Sequence, residues 1–328
     1  MTTTATDLQI RPFERTDEEY RDVVRISTAL WPDEAESVEE FRFEDERREP
    51  KWTHERFMGR LDGRVVAVGV YGDMQWCHKP GKLFLEVNVD PEYQRRGIGT
   101  RMYDFLVDAV AKHDPTQLVT WTREDHPEYV KFITDRGYSF AMRYAVSRLI
   151  VDEFDFDRWA PSVSKVTDQG LTIHSLAELS ELDPDWKRTY YDIKWELFQD
   201  VPFTDPPTRQ SFEQFCNRFE SSRFSMDAHW FARDGERCVG SSGLWLTEAD
   251  PEKLYTGLTG VVRTHRRRGV ATALKVKGVE WARARGVRVI ETDNEENNPM
   301  FDLNVALGYR PVPAWAEYHL HLKETATA

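Results

Sequence analysis

Short apolar segments, each bounded by turn residues, mark candidate strands along the chain. Residues 65–70 form an apolar run that directly follows an Asp-Gly pair. Residues 82–89 alternate instead, with Leu85, Val87 and Val89 on one side. Alternation with a period of two predicts a strand that buries one face, and Asp-Gly between apolar segments predicts a hairpin turn.

Two other segments repeat their apolar residues three or four positions apart, which predicts one helix after Gly97 and another after Gly269. The spaced residues are Ile98, Met102, Phe105, Leu106, Ala109 and Val110 in the first segment, and Val270, Ala273, Leu274, Lys277 and Trp281 in the second. Gly286 ends the second helix. Residues 287–292 then read as a strand, parallel to the earlier one across a right-handed crossover.

The same local patterns occur twice, in the same order and at nearly one interval. The matching pairs are Asp62-Gly63 with Asp234-Gly235, Gly97 with Gly269, and Gly137-Tyr138 with Gly308-Tyr309, at separations of 172, 172 and 171 residues. A recurrence of three markers predicts two homologous units.

An acidic and then polar stretch near residue 160 separates the two units, so the predicted domains are residues 1–158 and 165–328. The second unit carries extra residues, roughly 183–225, before its Asp-Gly turn. Variable segments of this kind are where we expect a substrate-covering lid.

Composition narrows the function classes. The chain has 328 residues, 40% apolar and 31% charged, with a formal net charge of −13. The acidic balance disfavours nucleic acid and weakly favours a cationic small substrate. The apolar runs are too short to span a membrane, and nothing resembles a signal peptide, so a cytoplasmic protein is expected. The three cysteines lie far apart, which predicts neither a disulfide framework nor a metal site.

Each strand-to-helix turn is rich in arginine and in small residues. The sequences are Gln94-Arg95-Arg96-Gly97-Ile98-Gly99 and Arg266-Arg267-Arg268-Gly269-Val270-Ala271. Small residues let the backbone approach a ligand, and the amide groups at a helix start favour a phosphate. A single loop of this kind is more often a solvated turn or a basic patch, but its duplication in matching contexts favours a pyrophosphate site. Neither the dinucleotide-binding fingerprint nor the P-loop pattern is present.

These loops, with the strands before them, resemble the acyl-CoA motif Q/R-x-x-G-x-G/A of the GNAT family of N-acetyltransferases. The resemblance covers both halves, in a tandem layout similar to that of mycothiol synthase-like fused acetyltransferases. It implies two α/β (α+β) domains, each a mixed, mostly antiparallel sheet flanked by helices, with a central parallel strand pair. It also implies acetyl-CoA as the cofactor. The implied contacts are Val87, Asn88, Val89, Gln94, Arg95, Arg96, Gly97, Ile98, Gly99 and Thr100 in the first unit, and Thr259, Gly260, Val261, Arg266, Arg267, Arg268, Gly269, Val270, Ala271 and Thr272 in the second.

Family members transfer the acetyl group by direct attack of an amine on the thioester, often with an Asn and, seven residues later, a Tyr near the cofactor. In the second unit Asn297 takes the Asn position and Asn304 stands where the Tyr is usual; in the first, His126 and Ile133 stand there. An amide can donate a hydrogen bond and an isoleucine cannot. The second unit is therefore the favoured catalytic one, while the first would bind CoA structurally or act on another acceptor.

Glu291, Asp293 and Glu86 are the candidate proton acceptors, because each lies on or after a strand of the implied parallel pair. For each carboxylate, a solvated or salt-bridged role is the competing interpretation. In the extra segment, Trp195, Asp200 and Phe203 are the candidate substrate contacts.

The leading hypothesis is an acetyl-CoA-dependent N-acetyltransferase acting on the primary amine of a small molecule. An acyl-CoA-binding sensor without activity and a protein N-acetyltransferase are the alternatives. Because the fused halves can form a pseudo-dimer within one chain, either a monomer or a homodimer is expected.

Overall fold

The computed structural model describes residues 7–323, and its strands follow the predicted hydrophobic pattern. They are β1 (Gln9–Pro12), β2 (His54–Leu61), β3 (Arg64–Asp73), β4 (Lys82–Val89), β5 (Gln117–Arg123), β6 (Ser139–Ile150), β7 (Thr172–Ser175), β8 (His229–Asp234), β9 (Arg237–Leu246), β10 (Lys253–Thr256), β11 (Gly260–Val261), β12 (Val289–Glu295) and β13 (Arg310–His321).

The helices lie between these strands, including the two that were predicted after the arginine-rich loops. They are α1 (Asp17–Leu30), α2 (Val38–Glu46), α3 (Ile98–Val110), α4 (Pro127–Thr134), α5 (Phe156–Trp159), α6 (Pro161–Thr167), α7 (Leu176–Leu182), α8 (Trp186–Phe198), α9 (Phe212–Cys216), α10 (Val270–Ala284) and α11 (Pro299–Ala306). No helix within residues 7–323 is long and apolar enough to cross a membrane.

Both Asp-Gly pairs form hairpin turns, but the two turns differ by one residue. In the first, Leu61 pairs with Arg64, so that Asp62 and Gly63 are the central residues, and both have positive φ. In the second, Asp234 itself pairs with Arg237, and Gly235 follows it with a φ of 57°. Glycine suits these positions because it adopts positive φ without steric cost.

Contacts divide the chain into two compact units: residues 1–142 with 316–328, and residues 143–315. This division differs from the sequence boundary near residue 160. Residues 143–158 belong to the second compact unit, and the described residues from 316 onward belong to the first. The reason is strand pairing: residues 143–150 of β6 pair with β12, whereas residues 316–321 of β13 lie beside β5.

The first unit, residues 7–142 and 316–323 as described, is built on a mixed sheet. Strands β1 to β5 are neighbours in chain order, and residues 316–321 of β13 follow β5. The pairs β1–β2, β2–β3 and β3–β4 are antiparallel, and β4–β5 is parallel. Helix α3 buries Ile98, Met102 and Leu106 in the core of this unit.

The second unit, residues 143–315, repeats this arrangement with β7, β8, β9, β10 and β12 in spatial sequence. Here β10–β12 is the parallel pair, and residues 143–150 of β6 are antiparallel to β12. Helix α10 buries Val270, Ala273 and Leu274 against the core. The mixed α/β fold predicted for both copies is confirmed.

In each copy the parallel strands pair only over their first residues. The β4–β5 pairs run from Lys82–Gln117 to Phe84–Val119, and the β10–β12 pairs end at Tyr255–Glu291. Beyond these pairs the two strands of each copy continue separately, which leaves a wedge-shaped opening between them. The arginine-rich loop follows the first strand of each pair.

The second copy has a β-bulge in the strand that leads to its loop, and the first copy does not. Thr256 pairs with Leu244 and Gly260 with Ser241. Three residues, 257–259, therefore oppose only two on β9. Strand β4 pairs with β3 in one uninterrupted register. A bulge leaves backbone groups without a ladder partner, and bulges are frequent beside active sites.

Candidate active site

The two loops share one backbone geometry. Arg95 and Gly97 have φ values of 61° and 79°, and Arg267 and Gly269 have values of 62° and 83°. Left-handed residues alternating with ordinary ones turn successive N–H groups toward one side, which makes an anion-binding concavity. Helices α3 and α10 begin directly after the glycines, so their first amide groups face the same place.

The first residue of each motif anchors its loop to the preceding strand. Gln94 donates through Nε2 to the carbonyl oxygen of Val89 at 3.2 Å. Arg266 donates through Nε to the carbonyl oxygen of Val261 at 3.0 Å. Glutamine and arginine therefore perform one structural task, which explains why either residue type fits this position.

Other side chains fix the first loop. Arg96 donates to the carbonyl oxygen of Glu92 at 2.7 Å and lies over the ring of Tyr93. Arg136, from the loop after α4, donates to Oγ1 of Thr100 at 3.0 Å. Arg95 is exposed. Arg96 is exposed as well, so the loop has a fixed backbone and exposed arginines beside it.

In the second copy an acid is already paired with two arginines at the loop. Asp200 accepts hydrogen bonds from Arg263, at 2.5 Å, and from Arg266. The bond from Arg263 is the main reason why the pKa of Asp200 is held below its usual range. Arg268 donates to Oε1 of Gln169 at 2.9 Å. Asp200 was predicted as a substrate contact, and its contacts place it beside the arginine-rich loop.

The two aromatic candidates of the extra segment lie near Asp200 in sequence and make different contacts. Phe203 packs on Phe198, with ring centroids 5.0 Å apart. Trp195 lies on α8 with the guanidinium of Arg209 over its ring. No ring contact between Trp195 and Phe203 is found among residues 7–323, and their role as substrate contacts stays a prediction.

The strand residues predicted to contact the cofactor lie along the wedge-shaped openings. Val87, Asn88 and Val89 pair with β3 on one edge and extend beyond the last β4–β5 pair on the other. In the second copy Thr259 lies in the bulge, and its Oγ1 is 2.8 Å from Oγ of Ser242. Helix α8 covers this bulge, because Lys194 donates to the carbonyl oxygen of Leu258 at 3.5 Å.

Glu86 lies on β4, two residues beyond the last parallel pair. Burial raises the pKa of its carboxyl, and the Arg56 charge opposes this only in part. The register runs from Arg56 through Val70 to Glu86, so these side chains share one face of the sheet. Within residues 7–323 the carboxylate of Glu86 has neither a hydrogen bond nor an ion pair, unlike most acids near the loops.

Aromatic rings surround the same face of the first copy. Phe84 lies two residues before Glu86, and the centroid of its ring is 6.1 Å from that of His54 and 6.3 Å from that of Trp121. Trp76 lies 6.1 Å from Trp121 and is 41% exposed. Phe84 and Trp121 were not among the site residues predicted from the sequence. Phe84 pairs with Val119, two residues before Trp121, and the sequence does not show this pairing of β4 with β5.

His54, beside this cluster, is held neutral. Burial, together with the nearby guanidinium groups of Arg48 and Arg56, lowers the pKa of its imidazole to about 3. The rings of His54, Phe84, Trp76 and Trp121 are thus uncharged at neutral pH. Glu86 shares the face of Phe84, and Glu317 accepts a hydrogen bond from Nε1 of Trp121 at 3.2 Å.

Glu291 has the contacts of a structural ion pair. It is 4% exposed, accepts a hydrogen bond from Arg148, and lies 3.1 Å from Nζ of Lys253. These contacts favour a structural role for Glu291, and its catalytic role stays a prediction. Two cations already neutralise this carboxylate, and accepting a proton would break both contacts.

Asp293 differs from Glu291 although it lies two residues further along β12. Its side chain reaches solvent. Surrounding protein, and secondarily the charge of Glu291, raise the pKa of its carboxyl. An accessible acid with a raised pKa at a cleft fits proton transfer, so Asp293 remains the candidate base of the second copy.

The asparagines of the second copy form a local network. Asn304 is completely buried and donates to Oδ1 of Asn294 at 2.7 Å, while its own Oδ1 has no partner within residues 7–323. Asn297 donates to Glu295 at 2.8 Å, and Asn298 caps helix α11. Asn294 was missed by the sequence reasoning. The predicted cofactor contacts of Asn297 and Asn304 stay predictions.

The first copy has a different arrangement at the corresponding place. His126 precedes helix α4 and stacks on Tyr129, with ring centroids 4.8 Å apart. Tyr129 in turn accepts a hydrogen bond from Gln94 at 3.0 Å. Ile133 is buried in the core. Helix α4, which follows the second parallel strand, therefore supports the loop. The position where family members often have a Tyr is taken by Ile133, which has no hydrogen-bonding group.

Comparison with known proteins identifies the family. The acetyltransferase (GNAT) family model matches residues 17–138 and again residues 187–307. The chain therefore belongs to the GNAT family, and it is an acyltransferase with two GNAT domains in tandem. No curated protein matches the sequence.

Solved structures share the tandem fold at low sequence identity. A tandem GNAT protein from the clavulanic acid biosynthesis pathway has a TM-score of 0.73 and 19% identity, over 97% of this chain and 99% of its own. A GCN5-related N-acetyltransferase from Sphaerobacter thermophilus has a TM-score of 0.70 and 18% identity, over 98% of each chain. A glucosamine N-acetyltransferase region of a fungal multi-domain β-N-acetylglucosaminidase has a TM-score of 0.69 and 13% identity, over 98% of this chain and 38% of that one.

Proposed function

We propose that this protein transfers the acetyl group of acetyl-CoA to the primary amine of a small molecule, by direct attack of the amine on the thioester. The observation that carries the proposal is the repeated combination of an amide-lined loop with a strand whose edge is open. When bound, acetyl-CoA supplies an acyl group that is already activated as a thioester. Binding of the cofactor and removal of the amine proton depend on residues of the chain.

The open strand edges fit an extended, amide-bearing chain such as pantetheine. Main-chain groups of residues 87–89 would hold it in the first copy, and those of residues 259–261 in the second. The loops, residues 95–100 and 266–272, would hold the pyrophosphate through their amide groups. Support for this fit is the pair of left-handed residues in each loop, because that conformation turns N–H groups outward at a helix start.

Glu86 is our candidate for removing the proton from the attacking amine in the first copy. Its carboxylate has no competing partner among the described residues, and burial raises its pKa. A base whose pKa is closer to the working pH accepts a proton more readily. In the second copy Asp293 would take this role, since Glu291 is held by Lys253 and Arg148.

The surroundings of Glu86 favour an acceptor that combines a cationic amine with an apolar body. An ammonium group is attracted both by a carboxylate and by the faces of nearby rings. The rings of Phe84, Trp121 and Trp76 lie on or beside the face of Glu86. The formal net charge of −13 also favours a cationic acceptor. The sequence favoured the second copy as the catalytic one, and these contacts extend the proposal to the first.

Calorimetry with CoA and acetyl-CoA, followed by measurement of acceptor-dependent release of free thiol, tests the proposal. We expect two binding sites per chain, and turnover with small aromatic or apolar amines. Binding without turnover across an amine panel would favour a sensor. Turnover only with peptides would favour a protein acetyltransferase. Absence of any CoA binding would refute the proposal altogether.

A further inference from the structure

The second copy contains an internal cavity between helix α10 and the sheet. It is lined by residues of β8, β9, β10, β12 and α10 and by one residue of the turn before β13: Trp230, Ser242, Gly243, Leu244, Thr256, Lys275, Gly278, Val279, Ile290 and Tyr309. Thr256 directly follows Tyr255, the last residue of the parallel pair. The cavity therefore lies at the base of the wedge-shaped opening in this copy.

The first copy fills the corresponding space with large side chains. Counting from the two loop glycines, Lys275 corresponds to Tyr103 and Gly278 to Leu106. By the register of the parallel strands, Thr256 corresponds to Leu85. Tyr103, Leu106 and Leu85 all belong to the packed core of the first copy. Gly278 stands where the first copy has a leucine, and Leu244 packs against it, since Cδ1 of Leu244 would lie 3.3 Å from a Cβ at this position. Lys275 and Thr256 line the space that is left.

Three polar atoms around the cavity are buried without a hydrogen-bond partner among residues 7–323. They are Nζ of Lys275, Oγ1 of Thr256 and Nε1 of Trp230. Lys275 is 4% exposed, and its Nζ lies 5.4 Å from the ring centroid of Tyr309. Desolvation lowers the pKa of Lys275 to about 7. A buried polar group without a partner is costly, so such groups normally face a bound polar species.

The chemistry of the lining selects the charge of that species. Lysine ammonium and indole N–H only donate hydrogen bonds, and the threonine hydroxyl can also donate. No Asp or Glu is among the lining residues. Glu291, next to Ile290, alternates to the opposite face of β12 and is held by Lys253. Hydrogen-bond donors from three elements line this space and no acid does, so the lining is complementary to an anion, which would also favour the protonated form of Lys275.

We propose that this cavity binds one small monovalent anion of the size of chloride, held by Lys275, Thr256 and Trp230. An anion of this size is comparable to a water molecule, and the cavity has room for about one such particle. It would keep Lys275 protonated and would stiffen the base of the opening in the second copy. The inference does not depend on acetyl transfer.

Thermal unfolding of the full chain in sodium chloride or sodium bromide, compared with sodium gluconate at equal ionic strength, tests the site. Gluconate is too large for the cavity, so it controls for the effect of salt on interactions between charges of the protein. We expect the melting temperature to rise by roughly 2–4 °C between low and ~200 mM halide, and not with gluconate. The variant Lys275→Met should lose the halide response, while Lys165→Met, at an exposed position on α6 of the same unit, should keep it.

Anomalous diffraction from bromide-soaked crystals of the unmodified protein provides a test that needs no variant. A bromide peak within hydrogen-bond distance of Nζ of Lys275 is the expected result. Equal melting temperatures in halide and gluconate, or a bromide-free cavity that holds only water, would overturn the proposal. A halide response that persists in Lys275→Met would also overturn it.

Discussion

Nζ of Lys253 lies 3.1 Å from Oε1 of Glu291, and both side chains are buried where the parallel strands of the second copy begin to separate. The first copy has a lysine at the same position, because Lys82 and Lys253 both occupy the first register pair of their strands. Nζ of Lys82 lies 3.9 Å from Oε1 of Glu317. A buried lysine–glutamate pair thus braces the start of the opening in both units.

The variant Glu291→Gln should therefore lose stability. Removing one partner of a buried pair leaves the other charge uncompensated, which costs about 3 kcal/mol in free energy of unfolding. Urea denaturation measures this change. Glu280→Gln, which removes the partly exposed partner of Lys277, is the control and should change stability by less than about 0.5 kcal/mol. Unchanged stability together with a large loss of activity would restore the catalytic interpretation of Glu291.

Glu86→Gln should lower kcat by about a hundredfold, because a positioned general base contributes roughly that factor or more. Thiol release under saturating acetyl-CoA measures kcat, and CoA affinity should stay the same. The control is Glu18→Gln, at an exposed position on α1. If Glu86→Gln keeps full activity toward every acceptor, Glu86 is not the base.

The pH profile gives a second test of Glu86. The base must be ionised, so activity of the first copy should fall as the pH drops through the raised pKa of this carboxyl. That limb of the profile should disappear in the glutamine variant. A raised folded pKa also means that the ionised form costs stability at neutral pH, where the variant should melt at the same or a higher temperature.

Gly97→Ala and Gly269→Ala should each weaken CoA binding about tenfold in their own copy. An L side chain at positive φ costs about 1–2 kcal/mol and would shift the loop away from the geometry that exposes its amide groups. Calorimetry should show one weakened site per variant. Gly63→Ala is the matched control, since Gly63 has a φ of 82° and lies in a hairpin turn. Equal loss of affinity in all three variants would contradict a role for the loops.

Asp200→Asn should raise the CoA affinity of the second copy about threefold to tenfold at low salt. The substitution releases Arg263 and Arg266 from an acid that competes with phosphate. The salt dependence of binding should become steeper, because surface charges are screened. Asp192→Asn, which removes an exposed partner of Arg209, should change neither quantity. A lower affinity would mean that Asp200 orients the arginines for the cofactor.

Several features followed directly from local patterns in the sequence. The alternation in residues 82–89 predicted β4 with its bounds, and the helical spacing after Gly97 and Gly269 predicted α3 and α10. The repeated markers predicted two copies, which the family matches bear out. Patterns of this kind span fewer than twenty residues, so their physical cause is contained in the segment itself.

Other features depended on strand pairing. The bulge at residues 257–259 exists because the register of β9 changes between Leu244 and Ser241. The contacts of Glu291 exist because residues 143–150 of β6 pair with β12. In the sequence Glu291 and Asp293 were equivalent candidates. Only their contacts in the fold show that Glu291 is buried in ion pairs and that Asp293 is accessible.

By itself the sequence determined the two-copy GNAT fold and the position of both loops, because hydrophobic periodicity, glycine and arginine act over a few neighbouring residues. The tertiary structure decided which acids lie free or paired, where Asp200 binds, and which aromatic rings surround Glu86. These outcomes depend on which strand lies beside which, and on what each side chain meets across the sheet. Such contacts join residues far apart in the chain, and no local pattern encodes them.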